Sequence, residues 1–448
     1  MRPKRPTSRS STRWSIPEGR PMLTHHRSRL AAAWLASLLL VACGDDQVTD
    51  SPDANAPDTD VLADADPGDT DAHDAGDTAD ADVNPLDELP EGPWPIEERG
   101  HFNIGYSYTK IAYLPRGDGE EEREIFISIW YPTLDTEGHE ARYLNAINAP
   151  AGVLRDPTPA IDQAEPAPLM VFSHGNGSFS VQSYFFAEYL TSHGYVVIAP
   201  DHKGNTFSDT GGAVQLGSTV YRPQDVSAIL DWVEALPEDH ALYGKISPSK
   251  IAISGHSLGG FTTLANTGAT LDMEAVDAGC AANTISNRIC QIFENDQNAI
   301  FAEGFLDDRF KASIPMTPAG AEVYVPGTSA IEIPTLMWTA GRDLTLPNEV
   351  EGDPLWEAMQ GSQHRRIDIT DGGHFTFSNL CELLGGAVED LQDDGCSPTN
   401  IGYEEAYLVI NAYSMAFLRL HLDGDTSYEA MLNGDDPLSD SLVFDRHE

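Results

Sequence analysis

The stretch Lys250-Ile251-Ala252-Ile253-Ser254-Gly255-His256-Ser257-Leu258-Gly259-Gly260 decides the fold. Its apolar, β-prone run stops at Gly255, and a helix-forming pattern starts at Leu258. A Gly-x-Ser-x-Gly turn from strand to helix holds its serine on strained backbone, so that the hydroxyl of Ser257 points out above the sheet. Strand and helix crowd each other there, which requires a small residue at Gly259 as well. The helix N terminus behind the serine favours developing negative charge.

Short apolar strands alternate with helical patterns through the rest of the chain. Two extended stretches first flank a hairpin-like turn at residues 116–119. The predicted strands are 124–131, 169–173, 196–199, 250–254, 311–316, 335–339 and 366–369, and the predicted helices are 182–192, 224–236, one from 258 onward, and 404–420. Continuous apolar strands between helices indicate a mostly parallel sheet covered by helices on both faces. We therefore predict one α/β domain over residues 93–448.

The turn around Ser257, in this setting, resembles the α/β-hydrolase superfamily. Within it the sequence is similar to the branch of dienelactone hydrolases, platelet-activating-factor acetylhydrolases and bacterial cutinase-like polyester hydrolases, over roughly residues 93–448. The resemblance implies the α/β-hydrolase fold with Ser257 as nucleophile. It also implies an oxyanion donor after an early strand, an acid after a late strand and a histidine after the last one.

The oxyanion donor is expected in Pro168-Leu169-Met170-Val171-Phe172-Ser173-His174-Gly175-Asn176-Gly177, a strand that ends in a glycine-rich loop. In this branch the residue after His-Gly gives one backbone N–H to the oxyanion. The resemblance thus implies that the N–H groups of Asn176 and Leu258 form the hole, and two fixed donors of this kind lower the barrier by several kcal/mol. We expect His174 to be structural and to fix the loop by hydrogen bonds.

The acid is expected at Asp343, in the loop that follows the predicted strand 335–339. This place departs from the acetylhydrolase subgroup, whose acid follows the preceding strand. That strand ends here in Ile314-Pro315-Met316-Thr317-Pro318 without an acid, so the dienelactone-hydrolase and cutinase type is closer. Asp368 and Asp371 are alternative acids, although Asp371 lies too near the histidine in sequence to orient it easily.

The base is expected at His374, in the glycine-rich stretch Thr370-Asp371-Gly372-Gly373-His374-Phe375-Thr376-Phe377 after the final predicted strand. Part of this stretch resembles the family's His-Phe-Ser-Phe segment. The chain order Ser257, Asp343, His374 is that of the α/β hydrolases. His256 adjoins the nucleophile, so that its side chain points away and cannot serve as base, and His364 is expected to be exposed.

These residues predict a serine hydrolase that cleaves carboxylic esters through an acyl-serine intermediate, with a small-molecule or lipid ester as substrate. No metal and no cofactor is expected. Polyester hydrolysis or lipid-acyl hydrolysis is an alternative within the class. A surface-displayed binding lipoprotein on an inactive hydrolase fold is the alternative from another class, and it would lack a triad member.

Charge and composition limit the partners. The chain has 448 residues, of which 41% are hydrophobic, and its 71 acidic against 26 basic residues give a net charge of −45. That apolar content supports a large core and excludes disorder throughout. A protein that binds a duplex needs cations to neutralise phosphates, so nucleic acid is not expected as a partner.

Residues 1–43 predict an export signal. A basic flank precedes the apolar run 30–42, which is shorter than the ~20 residues that span a bilayer. The run ends Leu40-Val41-Ala42-Cys43-Gly44, which resembles the bacterial lipoprotein signal and implies lipidation of Cys43. Met22 is an alternative start. We expect an exported protein that a lipid anchor holds at the membrane, facing the periplasm or the cell exterior.

Residues 44–92 predict a disordered, Asp-rich tether, because they contain almost no large apolar residue and their like charges repel. The aspartates at 64–74 are spaced loosely like those of a calcium loop, but they do not fit the pattern that such a loop requires.

The remaining cysteines are Cys280, Cys290, Cys381 and Cys396, an even number that suits an oxidising compartment. Of the three connectivities we favour the two short pairings, Cys280 with Cys290 and Cys381 with Cys396. The first pair lies in a predicted helical insertion at 268–310. That insertion is either a flap that walls the acyl pocket or part of the core.

Overall fold

The computed structural model describes a large part of the chain. The described residues are 86, 89–90, 92–117, 121–210, 217–285, 290–291, 298–384 and 388–447. The predicted signal, Cys43 and nearly all of the predicted tether lie outside these residues. None of the helices in the described part combines the length and apolarity that a membrane crossing requires.

A large sheet organises the described residues. Their strands are β1 (Asn103–Tyr113), β2 (Arg123–Thr133), β3 (Arg142–Tyr143), β4 (Ile147–Asn148), β5 (Val153–Arg155), β6 (Ala167–Ser173), β7 (Val196–Asp201), β8 (Ile246–His256), β9 (Ala312–Met316), β10 (Leu336–Ala340), β11 (Arg365–Ile369) and β12 (Leu442–Arg446). Ten of these form one sheet in the order β5-β1-β2-β7-β6-β8-β9-β10-β11-β12. The strands from β7 to β11 run parallel, whereas β2 and β12 are antiparallel to their neighbours.

Helices follow most of the parallel strands. Within the described residues they are α1 (Tyr184–Ser192), α2 (Phe207–Thr210), α3 (Ser218–Glu234), α4 (Leu258–Asn266), α5 (Met273–Ala282), α6 (Asn298–Glu303), α7 (Ala321–Tyr324), α8 (Gly352–Ala358), α9 (Leu380–Leu384), α10 (Glu389–Leu391), α11 (Tyr403–Leu418) and α12 (Glu429–Leu432). Short 3-10 or π turns complete them at Gly327–Ala330, His374–Phe377, Gln392–Cys396, Arg419–Asp423 and Thr426–Tyr428.

The core lies on both faces of the sheet, because successive side chains of a strand point to opposite faces. In β6, Phe172 packs in a cluster with residues of α1 and α11. Its neighbour Val171 packs on the other face with Val226 and Ile229 of α3. A third cluster joins α4 to residues of α5, α6 and α8.

The carboxyl ends of the parallel strands meet at one edge of the sheet, where open α/β sheets carry their binding sites. β6 ends there before the loop that contains Asn176, and β8 ends before Ser257. β10 and β11 end before the loops that contain Asp343 and His374. The topology therefore collects the four predicted site loops at this edge.

Helix α3 begins at Ser218, six residues before its predicted start. A proline has no N–H to donate within a helix, and its ring crowds the preceding turn. The structure keeps Pro223 inside the helix.

Strand β12 was not predicted, and the expectation that β11 is the last strand is wrong. β12 pairs with β11 along Leu442–Arg446 at the edge of the sheet. Its residues follow a long helix and include Asp445 and Arg446, so their apolar pattern is weak. The expectation that His364 is exposed is also wrong, since its side chain is fully buried. A turn closed by the bond from its N–H to the carbonyl of Gly361, 3.2 Å, places the ring inside.

Two disulfides occur, Cys280–Cys290 and Cys381–Cys396, in the pairing that the sequence favoured. Each contributes ~3 kcal/mol to stability in the chain-entropy account. The first joins the C-terminal end of α5 to a residue further along the predicted insertion. The second joins α9 to the turn Gln392–Cys396.

Candidate active site

Ser257 lies between β8 and α4 in a backbone conformation that L residues rarely adopt, with φ 59° and ψ −117°. Strain of this kind persists only where the surrounding structure enforces it. The N–H of Ser257 donates to the carbonyl of Met316 at 2.9 Å, which ties the turn to the end of β9. The residue as a whole is largely buried, with 9% of its surface exposed.

The crowding at the turn is visible at Gly259. A Cβ at this position would lie 1.8 Å from the carbonyl oxygen of Ser173 at the end of β6. A Cβ at Gly255 would lie 2.3 Å from the carbonyl oxygen of Gly259. Helix α4 can therefore approach the sheet only because both positions are glycine.

Asn176 and Leu258, the residues that the sequence assigns to the oxyanion hole, follow the adjacent strands β6 and β8. Leu258 is the first residue of α4, where backbone N–H groups have no intrahelical acceptor. The side-chain oxygen of Asn176 accepts from the amide of Asn205 at 2.9 Å. The carbonyl of Asn205 in turn accepts from the N–H of Gly177 at 3.2 Å. Asn205 thus holds the loop at two points.

Arg222 also holds the loop of Asn176, through hydrogen bonds of its side chain. Its fully buried guanidinium donates to the side-chain oxygen of Asn205, to the carbonyl of His174 and to the hydroxyl of Ser173, the last at 3.2 Å. Burial lowers the pKa of Arg222 to about 9, an effect that nearby Asp225 opposes, so that the group keeps its charge at neutral pH. A charged donor to three loop groups makes a stiff support.

His174 and His256 are structural connectors. Nδ1 of His174 bonds the carbonyl of Gly175 at 2.6 Å, and its Nε2 accepts from the N–H of His202 at 3.2 Å. Nε2 of His256 bonds the carbonyl of His374 at 2.8 Å, and its Nδ1 bonds the amide nitrogen of Gln182 at 2.9 Å. Burial, and secondly the neighbouring His374, hold the pKa of His256 well below its ordinary value. A neutral His256 therefore ties the turn at Ser257 to the loop of His374.

Asp343 and His374 are brought together. Oδ2 of Asp343 accepts from Nδ1 of His374 at 2.8 Å, and its Oδ1 accepts from the N–H of Leu346 at 2.6 Å. The two side chains come from loops after the neighbouring strands β10 and β11, and both residues are buried, with 4% and 3% exposed. The bond from Nδ1 leaves Nε2 of His374 as the nitrogen that faces a substrate or a hydroxyl.

The loop of His374 lies against the turn at Ser257. The rings of His256 and His374 have centroids 4.6 Å apart, and Ser257 is the next residue after His256. Within the described residues no hydrogen bond joins the hydroxyl of Ser257 to His374. Such bonds are often long without a substrate and tighten when one is bound.

The alternative acids lie elsewhere. Oδ1 of Asp368 accepts from the hydroxyl of Thr339 and from the amide of Asn348, both at 2.7 Å. Asp371 keeps one buried side-chain oxygen without a hydrogen-bond partner among the described residues. The structure therefore joins only Asp343, of the three aspartates, to the ring of His374.

Three supporting residues were not predicted from the sequence, namely Gln182, Asn205 and Arg222. Gln182, for example, accepts from the N–H of Gly175 at 2.8 Å while it binds His256, which joins two loops. These residues act on backbone groups or on side chains far away in the chain. No local pattern signals such a role, because it depends on which loops the fold brings together.

Buried His202 and half-buried His421 predict how stability depends on pH. Burial lowers the pKa of His202 to about 3 and that of His421 to about 4. The ring of His421 packs on Phe417 with centroids 4.5 Å apart, and its Nε2 has no hydrogen-bond partner among the described residues. These histidines bind a proton more readily in the unfolded chain than in the folded one. Their contribution to the free energy of unfolding is therefore complete above a pH of about 6.5 and is lost as the pH falls toward the folded-state pKa.

We therefore expect His421→Leu to lose less unfolding free energy than the wild type when the pH falls from 6.5 to 4, by at most ~1.4 kcal/mol per pH unit. Urea unfolding across this range measures the difference. The opposite effect on the free energy of unfolding comes from carboxyl groups whose pKa values burial raises, namely Glu188, Asp201 and Glu351. Both proteins contain these groups, so that their effect cancels in the comparison. Exposed His139 gives the control, since His139→Asn should follow the wild type. Parallel curves for His421→Leu and the wild type would contradict the prediction.

The arrangement is suited to attack on an electrophilic carbon. It presents a hydroxyl on a strained turn, an imidazole oriented by a carboxylate, and backbone N–H groups at the ends of two adjacent strands. An oxyanion that forms between them would meet fixed dipoles in a largely buried site.

Comparisons with known proteins show which family and which fold the chain resembles. The model of the family described as "Alpha/beta hydrolase family" matches residues 170–418. The platelet-activating factor acetylhydrolase of Cavia porcellus is 30% identical over 318 residues, which cover 61% of this chain and 62% of that protein. The chain thus spans less than two thirds of this relative's length. A ferulic acid esterase from Streptomyces cinnamoneus superposes with a TM-score of 0.54 at 20% identity, covering 77% of this chain and 96% of the esterase. At that identity the likeness concerns the fold.

Proposed function

The chain belongs to the alpha/beta hydrolase family, and from this premise we propose that it is a serine hydrolase that cleaves carboxylic esters through an acyl-serine intermediate. The observation that carries the proposal is the 2.8 Å bond between Asp343 and Nδ1 of His374, in loops packed against the strained turn of Ser257. The name of the acetylhydrolase relative supports an ester as substrate.

In the proposed mechanism, Nε2 of His374 takes the proton of the Ser257 hydroxyl as the oxygen attacks the ester carbonyl. The tetrahedral oxyanion is stabilised by the N–H groups of Asn176 and Leu258. His374 then gives the proton to the leaving alcohol, and water hydrolyses the acyl-serine by the same steps in reverse order. Asp343 keeps Nδ1 of His374 protonated and stabilises the imidazolium.

The proposed substrate is a small-molecule or lipid ester. We also propose that the protein is exported and that Cys43 anchors it to a membrane. The two disulfides support an oxidising compartment.

Two measurements on the purified chain test the proposed function. A fluorophosphonate probe should label Ser257 alone, as peptide mass spectrometry can locate, and the label should require folded protein. A panel of p-nitrophenyl esters of graded acyl length, with a lactone and a peptide as comparison, should show turnover of the esters. A binding protein on an inactive fold would give neither label nor turnover, and that result would reject the proposal.

A further inference from the structure

Asp394 is a buried carboxylate outside the groups assigned above. It lies in the turn Gln392–Cys396, where Asp394 and Gly395 depart from helical geometry, and it is 5% exposed. The turn packs between the loop of Asp343, called the acid loop here (residues 343–346), and the loop of His374, called the base loop (residues 372–377).

The Asp394 carboxylate accepts four hydrogen bonds from these two loops. Its Oδ1 accepts from the N–H of Leu344 and from the N–H of His374, each at 2.9 Å. Its Oδ2 accepts from the N–H of Thr345 at 2.9 Å and from the hydroxyl of Thr345 at 2.7 Å. One oxygen atom therefore contacts the backbone of His374 and of the residue that follows Asp343.

We propose that Asp394 is a positioning residue that holds the acid loop and the base loop at the spacing that the bond between Asp343 and His374 requires. This inference rests on the proposed function, since it assigns a role within that site. Hydrogen bonds to an ionised carboxylate are about twice as strong as neutral ones, so four of them fix both loops to a common point.

Two residues in the middle of the acid loop face the solvent. The side chain of Leu344 is 65% exposed, and Thr345 is exposed as well. Side-chain packing therefore fixes neither residue. Within the loop, Oδ1 of Asp343 accepts from the N–H of Leu346, which closes the loop on itself but does not connect it to the base loop. The N–H of Arg342 donates to the carbonyl of Gly372 at 2.9 Å, which joins the two loops where they begin. Asp394 joins the residues beyond that point, since it binds Leu344 and Thr345 on one side and His374 on the other.

The turn that carries Asp394 is itself braced. A Cβ at Gly373 in the base loop would lie 2.4 Å from the backbone nitrogen of Gly395, so the two segments touch through their backbones. The next residue, Cys396, is bonded to Cys381. This disulfide limits how far the turn can move away from the base loop.

Asp394 does not replace Asp343 as the acid. The oxygens of Asp394 accept from the backbone N–H of His374 and from the acid loop, whereas Nδ1 of the His374 ring bonds Asp343. Asp394 acts through the position of these two groups and has no contact with the reacting atoms.

The test compares Asp394→Asn and Asp394→Ala with Asp393→Asn, a change at the exposed neighbouring aspartate. The asparagine amide keeps one acceptor and repels the donors of Thr345, and alanine removes all four bonds. We expect kcat for p-nitrophenyl ester hydrolysis to fall by about 10-fold in Asp394→Asn and about 100-fold in Asp394→Ala, because a misplacement of ~1 Å has effects of this size. KM should change by less than about threefold, since the substrate contacts remain.

Rates are divided by the fraction of protein that a fluorophosphonate labels at completion, which removes loss through misfolding. If both Asp394 variants fail to fold, Thr345→Val tests the inference instead, because it removes one exposed donor to Asp394. We expect its kcat to fall by about threefold. The inference is overturned if folded Asp394→Ala keeps the wild-type kcat, or if Asp393→Asn loses as much kcat as the Asp394 variants do. If the Asp394 variants do not fold, a wild-type kcat in Thr345→Val overturns it. Absent turnover in the wild type would instead reject the proposed function.

Discussion

Replacement of Ser257 by alanine is expected to lower kcat for p-nitrophenyl esters by about 10⁵-fold, to the residual rate that binding and the oxyanion hole support on their own. The hydroxyl is the only group that the proposed mechanism places at the nucleophile position, so that the acyl-enzyme cannot form by this mechanism without it. The positive φ of Ser257 strains alanine as much as serine, so that folding should change little.

Ser254→Ala is the matched control, because it removes a buried hydroxyl from β8, the strand that leads into the turn of Ser257. The Ser254 hydroxyl donates to the carbonyl of Ile314 at 2.7 Å and has no place in the mechanism. We expect it to cost about 1 kcal/mol of stability and to leave kcat near the wild-type value. Full turnover by Ser257→Ala, checked against contaminating esterase with the fluorophosphonate probe, would show that another residue is the nucleophile.

The predicted α/β-hydrolase fold is confirmed, because its evidence is local. The strand 250–254, the glycines at 255 and 259 and the helix from 258 are signals within about ten residues, and the structure forms β8 and α4 there. The pairing of the cysteines was also accessible, since short loops favour neighbouring partners. The strand β12 gave no comparable signal, because an edge strand needs only one apolar face and its sequence is half polar.

The residues that hold the site loops in place could not be predicted from the sequence. Arg222 lies outside the predicted helix 224–236, yet the fold places it in α3 and buries it beneath the loop of Asn176. Asp394 reads as part of an acidic, polar segment, yet it meets two loops that precede it by 20 and 50 residues in the chain. A buried polar residue of this kind is defined by long-range contacts, which sequence periodicity does not encode.

Asp343→Asn is expected to lower kcat by about 10⁴-fold with the fold intact. The asparagine amide can still accept from the N–H of Leu346 through its oxygen, as Oδ1 of Asp343 does at 2.6 Å. Its NH₂ group would then face Nδ1 of His374, where the carboxylate now accepts at 2.8 Å. Nδ1 would have to become the acceptor, so that Nε2 would carry the proton and could not receive one from Ser257.

Asp368→Asn is the control that separates this effect from a general loss of charge at the same edge of the sheet. Asp368 is the other acid considered for the site, and its Oδ1 accepts from Thr339 and Asn348 and not from His374. We expect its kcat to stay within about fivefold of the wild type, while Asp343→Asn loses nearly all turnover. The labelling rate of Ser257 by a fluorophosphonate should fall in the same order, since that reaction also needs the base. If Asp368→Asn lost activity and Asp343→Asn kept it, the acid of the site would be Asp368, and the bond between Asp343 and His374 would have only a structural role.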